Sequence, residues 1–175
     1  MRCALQALTT LHRVTAPPAP DDDDRAPATG LLDEGALAQV LGYQLAQASV
    51  HAGRAYARSI GTPLELRPVE FSLLMLLQAN DGSAPKHLAG ALALSAPHLT
   101  VLLDRMEERG LLARSDSAQD RRTREVRLTP QGQALAEQAA EAARTMEQAL
   151  LQRLTPGEGA LLFELLRKLC GRPRC

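Results

Sequence analysis

"SAPHLTVLLDRMEERGLLARSDSAQDRRTREVRLTPQG", residues 95–132, changes periodicity in mid-course, and that change decides the fold. Leu99, Leu102, Leu103 and Met106 recur at the spacing of one buried helical stripe, over a helix predicted at about 96–109. Ser95 is placed to cap it, with Pro97 early in its first turn and Gly110 just past its end. "LLARSD" and "TREVRLT" then alternate apolar and polar residues, as half-buried strands do, across a polar connection. A shorter helix, about 85–92, precedes the first one, separated from it by "ALS". Two short helices joined by a tight turn are the helix-turn-helix pattern, here followed directly by a β-hairpin.

Working outward, Thr129-Pro130 reads as the N-cap and first turn of a new helix. Leu135, Ala139, Ala142, Ala143, Met146, Ala149 and Leu150 carry its apolar face. Thr155-Pro156-Gly157-Glu158 is a capping box for a last helix bearing Leu161, Leu162, Leu165, Leu166 and Leu169. Toward the N-terminus, a helix starting at Pro68 runs through Phe71, Leu74, Met75 and Leu77 to Asn80. One long helix is predicted before it, capped by Asp33 and ending near Gly61-Thr62-Pro63. Residues 1–30 hold "APPAPDDDDRAPATG", where prolines and four adjacent aspartates predict a disordered tail.

Composition sets limits on this reading. Apolar residues supply 45% of the 175, but aromatics only 2%, and there is no Trp. The core is therefore Leu and Ala, which suits packed helices better than a β-sandwich. Net charge is zero, which argues against indiscriminate coating of nucleic acid. Locally the balance differs: residues 114–127 hold five arginines (114, 121, 122, 124 and 127) against Asp116, Asp120 and Glu125. A solvated loop and a finger reaching for phosphate are both open on that count alone.

No run approaches a membrane span, and the N-terminus lacks the continuous apolar stretch of a secretory signal, so a cytoplasmic protein is expected. Cys3, Cys170 and Cys175 lie at the chain ends and make no disulfide framework. His12, His51, His87 and His98 are scattered without zinc spacing. No paired nucleophile and base and no Gly-rich phosphate loop occur, so neither an enzyme nor a cofactor is expected.

The order of long helix, helix, helix-turn-helix, hairpin, long helix, helix resembles the multiple-antibiotic-resistance repressor (MarR) family over residues 33–170. "HLAGALALSAPHLTVLLDRMEERGLLAR" resembles that family's helix-turn-helix. "DRRTREVRLTPQG" resembles its wing, with the Asp-x-Arg pair at Asp120 and Arg122. "LGYQLAQASVHAGRAYAR" resembles the first helix of members that respond to aromatic acids. The resemblance implies a mainly α fold with a small β-hairpin wing: a tail at 1–30, a helical dimerisation region at 31–62 and 130–175, and a DNA-binding lobe at 63–129.

It further implies that Arg122 enters the minor groove, where the narrow channel concentrates negative potential, with Asp120 orienting it. Arg114, Arg121 and Arg124 are candidates for phosphate. Ser95, Ala96, His98 and Thr100 are candidates for the major groove, with Val101 standing where some members have arginine. Arg105 is expected to pair within the fold, with Asp104 or Glu108. The implied partners are a palindromic double-stranded operator, a second copy of the chain and a small aromatic effector. Tyr43, His51, Arg54, Arg58, Phe71 and Met75, with Tyr56, are candidate lining for that effector, a hydroxycinnamate or its thioester. A cysteine-based peroxide sensor and a winged-helix protein-interaction module are the competing readings.

Overall fold

The computed structural model describes residues 32–116 and 124–171. Within these bounds the chain forms six α-helices and one hairpin: α1 Leu41–Tyr56, α2 Pro68–Ala79, α3 Pro85–Leu92, α4 Ala96–Glu108, β1 Leu112–Asp116, β2 Arg124–Leu128, α5 Pro130–Leu151 and α6 Pro156–Leu169. Among the described residues no helix is long and apolar enough to cross a membrane. The acidic tail and the tip of the hairpin, where Asp120, Arg121 and Arg122 fall, lie outside the described residues.

The long first helix is not continuous, which corrects the expectation of one helix capped by Asp33. Asp33 Oδ1 accepts the Gly35 N–H at 2.9 Å and closes a short 3-10 turn, Gly35–Gln39. The backbone then becomes extended at Val40 before α1 begins. The cause is local. Gly35 adopts a left-handed φ of 50°, and the exposed Leu37, Val40 and Leu41 find no apolar partner in the same chain that would reward continuity. At its other end α1 widens into a π turn, Ala57–Gly61, which seats Ile60 in the core.

Local chemistry accounts for most remaining boundaries. Pro68 opens α2, and Glu70 reaches back to accept the Arg67 N–H at 2.8 Å. Ala93, in the left-handed region at φ 53°, turns the chain between α3 and α4. Gly110, at φ 69°, ends α4: its N–H donates to Glu107 O and that of Leu111 to Met106 O, the paired bonds of a Schellman motif. At Ser95 the expectation fails, because the hydroxyl makes no capping bond. Pro97 occupies the second helical position and removes one of the two N–H groups such a cap would meet.

The hairpin is antiparallel, with Leu112 opposite Leu128 and Arg114 opposite Val126. Ser83 adds a bridge on the outer edge of β2, where its carbonyl accepts the Val126 N–H. Leu73, Leu74, Leu77, Leu88, Leu99, Leu103, Met106, Leu112 and Val126 form one buried cluster where α2, α3, α4 and the hairpin meet, and Ala136 and Ala139 of α5 close it. Helix α6 is different. Its capping box forms as expected, with the Glu158 carboxylate held below its ordinary range chiefly by the Thr155 N–H. Yet Leu161, Leu162, Phe163, Leu165 and Leu169 are all about half exposed, and each leaves about 1 kcal/mol of burial unrealised in the single chain.

Of the described glycines, the one most closely approached by backbone lies at the start of α5. Thr129 caps that helix by accepting the Gly132 N–H, while its hydroxyl donates to Gly110 O at 2.6 Å and its N–H to Leu111 O at 3.1 Å. A Cβ on Gly132 would stand 1.8 Å from the Leu111 carbonyl oxygen. Backbone cannot give way as a flexible side chain would. Gly132→Ala is expected to destabilise the fold by about 1–3 kcal/mol, the usual cost of overpacking, measured by denaturant unfolding at fixed protein concentration.

Candidate nucleic-acid interface and effector cleft

One face of the lobe presents the start of α4. Ser95, Ala96, His98 and Thr100 are all exposed there, as are Val101 and Arg105 further along. Thr100 donates its hydroxyl proton to Ala96 O at 3.0 Å, which leaves its oxygen lone pairs and methyl outward. The Ser95 hydroxyl, relieved of capping, is open to an outside partner. The unbonded N–H groups of the first turn add a fixed positive end to this surface.

The arginines of the hairpin divide into two sets. Arg114 is half-buried, its guanidinium paired with Asp104 and its Nε 3.4 Å from Glu107, so it ties β1 to the flank of α4. Arg127 pairs with Asp81 and, at 2.8 Å, with Glu125, which clamps β2 onto the 81–83 loop. Gly82 lies beneath it in the left-handed region, where a Cβ would fall 2.6 Å from the Arg127 Nη2. These two arginines hold the hairpin in place. Arg124 is exposed, next to the segment that holds Arg121 and Arg122. Arg114, one of the candidates for phosphate, thus also serves as a brace, with two carboxylates at its guanidinium.

Asp104 being taken by Arg114, Arg105 makes no ion pair among the described residues, contrary to the pairing expected from sequence. It borders a cleft of about 190 Å³ between the start of α2 and the outer face of α4, with Arg67, Glu70, His98 and Val101 around it. Glu70 is 4% exposed. Besides capping α2 it stands 3.5 Å from the Arg109 guanidinium, so it links the start of α2 to the end of α4. Sequence reasoning passed over Glu70, although Glu at the third position after Arg67-Pro68 is a capping-box signal that could have found it. The pairing of Arg114 had no such signal, because it depends on how the hairpin folds back.

The effector candidates separate into three groups. Phe71 packs edge-on against Tyr56, ring centres 5.8 Å apart at 68°, with the half-buried Met75 in the same cluster. Tyr56 donates its phenol proton to Leu66 O at 3.0 Å. His51, Arg54 and Arg58 lie on the exposed side of α1 and the π turn. Tyr43 stands alone: it donates to Glu34 at 3.0 Å and is thirteen residues from Tyr56 on the same helix, about 20 Å along its axis. A single chain thus does not bring Tyr43 and Phe71 around one ring. Cys170 is half-buried and unbridged at the end of α6, while Cys3 and Cys175 lie outside the described residues.

Comparison with known proteins gives a consistent result. The MarR family profile matches residues 66–123. A putative transcriptional regulatory protein for the hcr operon of Thauera aromatica is 32% identical over 139 residues, 79% of this chain and 83% of that protein. The multiple antibiotic resistance protein MarR of Salmonella typhimurium is 31% identical over 109 residues, 62% of this chain and 76% of that one. Among solved structures, the transcriptional repressor CouR bound to a 23-mer DNA duplex superposes with a TM-score of 0.74 at 31% identity, covering 79% of this chain and 98% of CouR. CouR bound to p-coumaroyl-CoA gives 0.70 at 29% identity, with 79% and 97% covered.

The two tyrosines provide a test of the cluster around Phe71. Burial, and then the nearby Glu70 carboxylate, push the Tyr56 phenol well above its ordinary value of 10.0. The unfolded chain releases this proton near 10, so the stability that Tyr56 confers is full below that pH and is lost as pH rises through the tyrosine range. Alkaline difference spectroscopy should show Tyr43 ionising first and Tyr56 only as the protein unfolds. In Tyr56→Phe the late component should be absent.

Proposed function

Because the chain belongs to the MarR family, we propose that it is a homodimeric repressor which leaves a palindromic operator when a small aromatic acid or its thioester binds. The carrying observation is the exposed, hydrogen-bond-capable start of α4 set beside a braced hairpin, in a chain that superposes on a DNA-bound repressor. Residues 63–129 act as the DNA-binding lobe. The α4 face, with Ser95, Ala96, His98 and Thr100, enters the major groove, while Arg121, Arg122 and Arg124 follow the backbone and minor groove, Asp120 orienting Arg122. Two such faces reach successive major grooves only at a separation of about 34 Å, which makes the operator two-fold. Segments 31–62 and 130–175 supply the dimer contacts. The exposed leucines of α6 and the exposed Leu37, Val40 and Leu41 support this, as apolar faces the single chain leaves uncovered.

For the effector, similarity to a repressor bound to p-coumaroyl-CoA supports a hydroxycinnamate or its CoA thioester. Tyr56, Phe71 and Met75 give an apolar wall for a ring, and Arg54 or Arg58 a bidentate partner for a carboxylate or phosphate. Tyr43 reaches such a ligand from the far end of α1 or from the partner chain. A ligand wedged between α1 and α2 favours a dimer whose lobes sit at another spacing, and a coupling of about 1–3 kcal/mol suffices. A regulator of this kind works in the compartment that holds its DNA.

Arg122→Ala is expected to weaken binding of the gene's own upstream DNA by about 1–3 kcal/mol at fixed salt, with the dimer intact by light scattering. Undiminished binding would remove Arg122 from the interface. Calorimetry with p-coumaroyl-CoA and free p-coumarate, each with and without that DNA, tests induction. Linkage requires the DNA to weaken the effector by the same factor that the effector weakens the DNA. Equal affinities in both conditions would rule the mechanism out.

A further inference from the structure

Every large apolar side chain that is exposed among the described residues falls between 32 and 50 or between 154 and 169, within the proposed dimer segments, except one. The exception is Val101, 55% exposed on the outer face of α4. His98 lies three residues before it and Arg105 four after it, on the same side of the helix, around a cleft completed by Arg67, Glu70, Val69, Leu94 and Leu102. Val69 and Leu94 are half-buried and Leu102 is buried, so Val101 is the exposed apolar group at this rim, and one such group is too small to dock a protein. Nor is it a concession to helix stability, since β-branched residues lose rotamer freedom in helices and an exposed position favours Ala, Arg or Lys. What the branch provides is a pair of methyl groups held in one dominant rotamer.

We propose that Val101 is a specificity-determining residue, reading the 5-methyl group of one thymine in each half of the operator. The inference rests on the DNA-binding reading above and deepens it. The floor of the major groove presents hydrogen-bond donors and acceptors at every base pair, and its apolar protrusion is the thymine methyl. An apolar side chain on a reading face has that group as its complement, while His98 and Arg105 on either side meet acceptors or phosphate. Opposite a cytosine amino group or a guanine oxygen, the same methyl groups would strip water from a polar edge and return no hydrogen bond. Val101 therefore discriminates in both directions, by contact with thymine and by uncompensated desolvation elsewhere.

The test uses the full-length protein to enrich duplexes from a randomised pool, then replaces each thymine of the enriched duplex with deoxyuridine, one at a time. At one thymine in each half-site the loss of the methyl should weaken the wild-type protein by roughly three- to ten-fold and leave Val101→Ala unaffected. Val101→Thr, which keeps the branched shape and one methyl, should retain part of the sensitivity. Both substitutions are at an exposed position, so thermal unfolding should match the wild type. Deoxyuridine effects that are the same in wild type and Val101→Ala at every position would overturn the assignment alone. Failure to enrich any duplex would overturn it together with the DNA-binding function.

Discussion

The approach of Gly132 to the carbonyl of Leu111 is the contact on which the placement of everything else depends. It joins the end of α4 to the beginning of α5, two points more than twenty residues apart, with no side chain between them. Thr129 fastens the junction from three sides, accepting from Gly132 and donating to Gly110 and Leu111. Since Leu112 and Leu128 follow on either side, the first rung of the hairpin register is fixed by the same few atoms. Helix α4, hairpin and α5 therefore share one origin. A change in the direction of α5 is transmitted to the lobe through backbone, which has little compliance, rather than through rotamers, which have much.

From that origin the charged residues complete the geometry. Arg114 and Arg127 brace the hairpin on opposite sides, one to α4 and the other to the 81–83 loop, and Glu70 ties α2 to the far end of α4. Exposed ion pairs contribute little individually, typically 0–1 kcal/mol, so their value here is orientation more than stability. The arginines of residues 114–127 thus do not form one functional set. Among the described residues, part of the charge is structural, taken up by Asp81, Asp104, Glu107 and Glu125.

What could be read from sequence follows the range of the interactions. The bounds of α3, both strands and the caps at Thr129 and Thr155 were legible because each is decided within about four residues. Gly110 was legible for the same reason. Ser95 was not: its signal was correct in type, but Pro97 had already removed a donor, an effect visible only when both positions are considered together. The break at Val40 escaped the periodicity argument because that argument assumes a surface for the stripe to pack on, and one chain does not supply it. Gly132 and the partner of Arg114 are set by contacts distant in sequence, and pattern carries no trace of them. Among the candidate site residues, those at the start of α4 came from the family resemblance and are exposed, whereas the effector candidates came from α1 and α2, and Tyr43 and Tyr56 stand about 20 Å apart along α1.

The uncovered leucines of α6 carry a consequence in mass action. If a second chain covers them, part of the free energy that holds each lobe in place is shared between two molecules and so depends on how many are present. Each tenfold dilution removes about 1.4 kcal/mol from the pair relative to separate chains. The copy number of the protein then becomes a quantity that the fold itself senses. A cell that lets the pool fall far enough loses folded regulator as well as occupied sites, and the population of free chains presents α6 to the proteolytic machinery.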